Sequence, residues 1–271
     1  MRIKVNLNQL RHRCEQSIED ILRTEIADKG GHVAACPSYY GYLDRGSPIL
    51  MVAHLDWVPV PWRFAVDSQR TRVYCPRLDD RLGVYTILDV LPSLGIECDV
   101  LLTTDEEIGQ STAQYFSLPR KYHWIVEFDR RGEDVVTYNL DSPDWLDSLR
   151  SHGFRIGQGS FSDICYLDAD CCCANIGIGY HHEHSSQCYV ELSEYRRQLA
   201  RFVRFYSANR TTPYDQEPMT VVEEPSKSYW SNWNREGMRY TSERCRVCDD
   251  WLLVSEQDVC WSCLSTSKES S

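Results

Sequence analysis

No stretch of the sequence approaches the roughly 20 apolar residues that a membrane-spanning helix needs. The first fourteen residues lack the apolar core of a secretory signal, so we expect a soluble, cytoplasmic protein with no membrane partner. Positive charge is scarce, because 29 Lys and Arg stand against 40 Asp and Glu, for a net charge of −11. An acidic surface repels phosphate backbones, so nucleic acid is a poor choice of partner.

Cysteine is abundant, but the other signs of a secreted disulfide framework are missing. The chain has 13 cysteines, an odd number, and it has neither a signal sequence nor the small size of such frameworks. We therefore expect most core cysteines, including the run Cys171–Cys173, to be reduced and buried as small apolar side chains. No cysteine is paired convincingly with a histidine, which argues against a catalytic thiol.

The apolar pattern predicts one substantial α/β domain followed by a small appendix. The chain has 271 residues and is 42% hydrophobic, which is enough to bury a core. Predicted strands and helices alternate along it, with strands at 39–43, 49–53, 99–103, 124–128, 135–138 and 172–178, and helices at 8–27, 83–91, 109–116, 142–153 and from 193. This alternation predicts a mixed, largely parallel sheet with helices on both faces.

Acidic and histidine side chains follow four of the predicted strands. They are His54 after the strand at 49–53, Glu106 and Glu107 after 99–103, Asp129 after 124–128, and His184 shortly beyond 172–178. Ligands bind at the carboxyl ends of strands in open α/β sheets. Imidazoles and carboxylates together hold zinc or a similar divalent ion. The sequence therefore predicts a metal site and favours a hydrolytic enzyme.

The order of these motifs resembles that of the co-catalytic zinc exopeptidases, which include leucyl-type and tetrahedral aminopeptidases and acetylornithine deacetylase-like amidohydrolases. The resemblance runs from about residue 49 to 191 and rests on His54-Leu55-Asp56, Asp79-Asp80-Arg81-Leu82-Gly83, Glu106-Glu107, Asp129 and His184. The spacing leaves no room for a large inserted lid or dimerisation domain. The match is closest to the compact aminopeptidases.

The resemblance implies a centre with two divalent metal ions, zinc by preference and cobalt or manganese as alternatives. In this scheme His54 and Asp129 bind one ion, Glu107 and His184 bind the other, and Asp79 bridges both. Such a pair of ions, about 3.5–4 Å apart, lowers the pKa of a shared water and polarises the scissile carbonyl.

Two further carboxylates receive roles from the same resemblance. Glu106 is free of metal and acts as the general base, and Asp56 orients His54 from behind. The family also has a cis peptide after its bridging aspartate, so we expect one between Asp79 and Asp80.

Several alternatives stay open at this point. His181 or His182 is an alternative ligand to His184, and Asp163 and Tyr180 are either substrate and supporting groups or packing residues. Taken one at a time, the ligand motifs also have ordinary explanations, since a lone histidine is more often structural and an Asp-Asp pair caps helices. Their shared order and strand-end placement favour the metal site.

The C-terminal part contains a second metal motif. Four cysteines in a C-x2-C-x11-C-x2-C pattern predict a structural zinc ribbon or knuckle; they are Cys245, Cys248, Cys260 and Cys263. Acidic residues outnumber basic ones in residues 245–271, which favours protein docking over nucleic-acid binding. We therefore divide the chain into a metallopeptidase-like catalytic domain at 1–206, a linker or docking arm at 207–244, and a four-cysteine module with its tail at 245–271.

The leading hypothesis is a di-zinc aminopeptidase that acts on short peptides. An N-acyl amino acid deacylase or a carboxypeptidase of the same superfamily is the alternative within the enzyme class. A non-catalytic adaptor that uses its zinc module is the alternative outside it. A metal count separates enzyme from adaptor, since about three zinc ions per chain indicate the enzyme and about one the adaptor.

Overall fold

The computed structural model describes residues 3–35 and 38–217, and the backbone of 240–244 and 251–253. The chain divides into two compact units, residues 1–218 and 219–271. In the second unit, the strands Tyr240–Arg244 and Trp251–Leu253 pair antiparallel. The cysteines predicted to hold a structural zinc lie outside the described residues, so the zinc module stays a prediction.

The first unit is an α/β structure whose elements follow one another in the predicted alternation. Its strands are β1 (His32–Ala34), β2 (Tyr40–Leu43), β3 (Ile49–His54), β4 (Ala65–Val66), β5 (Arg72–Tyr74), β6 (Asp99–Thr103), β7 (Trp124–Arg130), β8 (Asp134–Val136), β9 (Arg155–Ile156), β10 (Cys173–Gly177), β11 (Tyr180–His181) and β12 (Tyr189–Glu191). Its helices are α1 (Leu7–Glu15), α2 (Ile18–Ile21), α3 (Leu78–Tyr85), α4 (Leu91–Ser93), α5 (Pro143–Ser151) and α6 (Leu192–Asn209). Among the described residues, no helix combines the length and apolar character that crossing a membrane requires.

Eight strands form the main sheet, in the order β1-β2-β6-β3-β7-β10-β8-β9. The central strands β6, β3, β7 and β10 run parallel to one another. The strand β2 pairs antiparallel with β1 and β6, and β8 pairs antiparallel with β10 but parallel with β9. The strands β11, β12, β5 and β4 form a small antiparallel sheet. The predicted mixed, largely parallel sheet is confirmed.

Both faces of the main sheet are buried, as a parallel sheet requires. Along β3, Ile49, Met51 and Ala53 belong to the larger core, whereas Leu50 and Val52 face a smaller one. The smaller core also contains Cys171 and Cys173, and these thiols and that of Cys172 are free and buried, as predicted. The helices α1, α3, α5 and α6 contribute side chains to the larger core, and the turns Thr112–Tyr115 and Asp163–Tyr166 contribute to the smaller one.

Two predicted helices differ from the structure for local reasons. The segment 8–27 is interrupted after Glu15, because Ser17 caps a new helix by accepting a hydrogen bond from the Asp20 N–H at 3.0 Å. The segment 109–116 is not a regular helix; it holds only the short 3-10 turn Thr112–Tyr115, which follows a similar turn at Glu106–Ile108.

Candidate metal centre

Three neighbouring parallel strands bring the predicted residues to one edge of the sheet. His54 is the last residue of β3 and is paired with Thr103, the last residue of β6, so Glu106 follows close by. Asp129 lies near the end of β7, on the other side of β3. The central imidazole is thus flanked by an acidic group from each adjacent strand, which is the placement that the sequence predicts.

The carboxylate of Asp79 lies between two groups of possible ligands. Its Oδ1 is 3.3 Å from His54 Nε2, and that nitrogen is also 3.3 Å from Asp129 Oδ1. Its Oδ2 is 3.2 Å from His184 Nε2, and that nitrogen is 3.0 Å from Glu107 Oε2. Each oxygen of one carboxylate therefore faces a different imidazole–carboxylate pair, and these five side chains are the ones assigned to two metal ions above.

The backbone is irregular at Asp79 and Asp80, which carry two of the carboxylates. The Asp79–Asp80 peptide bond is cis, as the resemblance implied. The Oδ1 of Asp80 accepts a hydrogen bond from the Gly83 N–H at 2.9 Å. A Cβ on residue 83 would lie 2.3 Å from that oxygen, so glycine is needed there for the close approach.

Asp56 lies behind the histidine ligand, as the sequence predicts. Its Oδ1 is 3.4 Å from His54 Nδ1, and its Oδ2 accepts a hydrogen bond from the Glu107 N–H at 3.1 Å. One carboxylate therefore connects the ring of His54, at the end of β3, with the backbone of Glu107, in the turn after β6. This arrangement fits an orienting role for Asp56.

Glu106 is nearly buried at the same centre. Its Oε2 is 3.9 Å from His54 Nε2, and its side chain is 14% exposed. Burial, reinforced by the charges of Asp163, Asp79 and Glu107, raises the pKa of Glu106 to about 8. A raised pKa makes a carboxylate a stronger proton acceptor, which suits a general base. The structure places Glu106 as predicted, and its role stays a prediction.

The charges at the centre strongly perturb one another. Burial alone would lower the pKa of His54, but Asp129 and the other carboxylates beside it raise that pKa well above its ordinary value. Burial and the charges of Asp79 and Asp80 raise the pKa of Asp129. Hydrogen bonds from His184 and His54 outweigh burial at Asp79 and hold its pKa below the usual range. The centre thus contains more buried carboxylates than its two imidazoles can neutralise.

His184 is the histidine that reaches the centre. The alternative His181 instead places Nε2 2.7 Å from Glu194 Oε2, and its ring stacks on Tyr189. The ring of His182 also lies against Tyr189. Of the three histidines, only His184 lies within 4 Å of a carboxylate of the centre in the described part of the chain.

The two weaker predictions also fall at the centre. Tyr180 Oη lies 3.3 Å from Asp129 Oδ1 and donates to it. Asp163 is fully buried and accepts a hydrogen bond from Thr103 Oγ1 at 2.6 Å. Both side chains therefore support the residues of the centre and its strands, so simple packing does not describe them.

Two further buried polar residues lie beside Asp129, and the sequence assigned neither of them a role. Asn175 accepts a hydrogen bond from the Asp129 N–H at 3.0 Å and donates to the Asp129 carbonyl at 3.3 Å, so it fixes the end of β7. Glu127 is fully buried, and neither carboxylate oxygen has a hydrogen-bond partner among the described residues. Its position two residues before Asp129 on the same strand was the available signal, because alternate residues of a strand share a face.

The donor set fits divalent metal ions. The ligand atoms of His54, Glu106 and Asp129 lie within 4.8 Å of one another, and so do those of His54, Asp79 and Glu107. Surplus buried carboxylate charge is offset most directly by a bound cation. Mixed nitrogen and oxygen donors suit zinc, cobalt and manganese.

The same fold occurs in solved structures of peptidases. The TET1 peptidase of Pyrococcus horikoshii is 15% identical with a TM-score of 0.54, and the match covers 74% of this chain and 98% of that chain. A tripeptidase from Staphylococcus aureus is 11% identical with a TM-score of 0.50 over the same shares of the two chains. This chain has the same fold as these two peptidases. No protein-family model and no curated protein matches the sequence. At such identities the likeness establishes the fold alone.

Proposed function

We propose that the protein is a metal-dependent aminopeptidase that removes the first residue of short peptides. The observation that carries the proposal is the carboxylate of Asp79, whose two oxygens face two separate imidazole–carboxylate pairs. A structural site for one ion needs no carboxylate shared in this way. Support also comes from the fold, which is similar to that of solved peptidases.

In this proposal two divalent ions are held by five residues, namely His54, Asp79, Glu107, Asp129 and His184. Ions bound there would supply the activation of water and the polarisation of the scissile carbonyl that amide hydrolysis needs. Asp56 keeps the ring of His54 oriented. Glu106 takes a proton from the attacking water and gives it to the leaving amine.

The charge around the centre favours substrates with a free amine. In the described part of the chain, the ion pairs of Asp56, Asp79, Glu106, Glu107 and Asp129 all go to histidines. A carboxypeptidase would need a cationic group to hold the terminal carboxylate of its substrate. An acidic centre instead attracts the ammonium group of a peptide N-terminus, which supports the aminopeptidase over the carboxypeptidase.

The test is the Glu106→Gln variant, assayed with an aminoacyl-p-nitroanilide. We expect the turnover number to fall by about 10²–10⁴-fold, because the proton acceptor is lost. We also expect metal content to stay that of the wild type, whereas the neighbouring Glu107→Gln variant should lose metal. An undiminished rate in Glu106→Gln would refute the role of this carboxylate.

Blocked substrates separate the alternatives. Hydrolysis of the free-amine anilide but not of its N-acetyl form supports the aminopeptidase. Hydrolysis of N-acyl amino acids supports the deacylase, and release of the last residue from N-blocked peptides supports the carboxypeptidase. No turnover of any of these, together with about one zinc per chain, would identify a non-catalytic adaptor instead.

A further inference from the structure

Beside the metal centre, two arginines and two tryptophans alternate in a stack. The guanidinium carbon of Arg77 lies 3.9 Å from the ring centroid of Trp57 and 4.1 Å from that of Trp62. The guanidinium carbon of Arg81 lies 5.1 Å from the Trp57 centroid. The order Trp62, Arg77, Trp57, Arg81 defines what we call the cation–π stack. All three contacts lie within the roughly 6 Å over which a cation attracts an aromatic face.

The cation–π stack connects the segment that carries Asp56 with the segment that carries Asp79. Trp57 directly follows Asp56 in the loop that leaves β3, so its ring and the carboxylate share one short piece of backbone. Arg77 and Arg81 lie on either side of Asp79. The loop that orients His54 is therefore attached, through aromatic faces, to the segment that carries the shared carboxylate.

The two arginines contact the surrounding structure in different ways. Arg77 donates from Nη1 to the carbonyl of Cys14 at 3.0 Å, which ties it to α1. Arg81 is fully buried, and its Nε and Nη2 have no hydrogen-bond partner among the described residues. A buried guanidinium with so few acceptors depends on its other contacts, and the face of Trp57 is one of them.

We propose that Trp57 is a positioning residue that acts through Asp56 to hold His54 in the geometry that binds metal. The inference rests on the metal ligands of the proposed function. Among the described residues, the Asp56 carboxylate contacts the centre through the 3.1 Å hydrogen bond from Glu107 N–H and the 3.4 Å approach to His54 Nδ1. Loss of the ring would free the Asp56 backbone to move away from both.

The test measures Mn²⁺ binding to the metal-free full-length protein, with free Mn²⁺ followed by its electron paramagnetic resonance signal. Mn²⁺ favours carboxylate and imidazole sites over the cysteine thiolates of the C-terminal part. We expect Trp57→Leu to weaken binding about 10–100-fold, the usual effect of losing support behind a ligand. Trp57→Phe keeps an aromatic face and is expected to restore most of the affinity. The matched control is Tyr115→Leu, which removes an exposed aromatic ring outside the stack and should bind as the wild type does.

A double-mutant cycle shows whether the effect passes through Asp56. If it does, Trp57→Leu should weaken binding no further once Asp56→Ala is present. Full multiplication of the two effects, or wild-type affinity in Trp57→Leu, would overturn the proposal. Should Trp57→Leu fail to fold, Arg77→Met is expected to weaken binding in the same way, and unchanged affinity in Arg77→Met would overturn the proposal.

The outcome is distinct from that of the peptidase assay. A wild-type protein that binds Mn²⁺ but cleaves no peptide refutes the proposed function and leaves the role of Trp57 standing. A wild-type protein that cleaves peptides while Trp57→Leu binds Mn²⁺ normally refutes only the role of Trp57.

Discussion

His184 illustrates that residues at this centre adopt backbone conformations that are unfavourable for any residue but glycine. Its backbone has φ 56°, in the left-handed region, and His182 beside it has φ 57°. Asp105, which precedes Glu106, has φ 66°. Such conformations cost non-glycine residues about 1–3 kcal/mol each and persist where the surroundings enforce them. The two loops that carry His184 and Glu106 thus contain strained backbone conformations next to the site.

His184 and His181 give a residue-level prediction. We expect His184→Ala to bind one Mn²⁺ fewer per chain than the wild type, because it removes the imidazole that lies 3.0 Å from Glu107. His181→Ala should bind the full number, since this ring contacts Glu194 instead. Equilibrium dialysis of both variants measures the difference. Equal loss of metal in the two variants would contradict the assignment.

At this scale the sequence predicts which kinds of residue converge but not every partner. His54 and Asp129 end adjacent parallel strands, so strand ends alone bring them together. The choice among three histidines within four residues depends on left-handed turns, which no periodicity reveals. The role of Glu127 is difficult to recognise for another reason, because a carboxylate within an apolar strand is usually interpreted from the sequence as an exposed residue.

Among the helices, α1 is anchored by one buried arginine. Arg13 donates from Nε and Nη2 to the carboxylate of Asp89, at 2.7 and 2.9 Å, and its Nη1 lies 2.8 Å from Glu25 Oε1. Asp89 and Glu25 belong to the π-helical segments Thr86–Val90 and Leu22–Ile26. Three helical segments thus meet at one guanidinium, whose side chain is only 7% exposed.

Removal of this guanidinium should be costly. We expect Arg13→Met to lower the free energy of unfolding by about 3–5 kcal/mol, because two largely buried carboxylates lose an ion-pair partner and only Glu25 keeps another, Lys29, among the described residues. Arg11→Met is the matched control on the same helix. Its pair with Glu15 is exposed, so its loss should change stability by less than about 0.5 kcal/mol. Urea unfolding of both variants gives the comparison, and similar values would show that burial of the pair does not matter.

The elements themselves were predictable to different degrees. The strand β6 occupies the predicted residues because a short apolar run that is buried on both faces has few alternatives to a strand conformation. The long amphipathic pattern at 8–27 concealed a break, since Gln16 and Ser17 fit a helix by spacing while Ser17 caps the next one. The helix predicted at 109–116 does not form, because polar side chains of this segment hydrogen-bond to the nearby backbone. Ser111, for example, accepts a hydrogen bond from the Ala113 N–H.

For the whole molecule, the structured core extends beyond the boundary at 206 that the sequence suggests. The helix α6 continues to Asn209, whose carbonyl accepts a hydrogen bond from Trp124 Nε1 at 3.2 Å. Tyr214 donates its N–H to the His123 carbonyl and accepts from the Cys172 N–H. We therefore propose that the first folded unit ends near residue 217.

Truncation tests this boundary. A chain of residues 1–217 should fold and bind Mn²⁺ as the full chain does, because it keeps these contacts. A chain of residues 1–206 loses three backbone or indole partners in the core, at about 1–3 kcal/mol each. We expect its melting temperature to be lower by at least about 10 °C in a thermal scan by circular dichroism. Equal melting temperatures would place the boundary at 206 after all.

The alignment of the central strands has a consequence for folding. His54 is paired with Thr103, and Val52 with Glu127, so the ligands meet only in one alignment of β6, β3 and β7. A slip of two residues would carry a ligand roughly 7 Å away, and a slip of one would turn it to the opposite face. In the proposed function, a divalent cation would therefore bind the native alignment and no shifted one. By mass action it would enrich correctly assembled molecules during refolding.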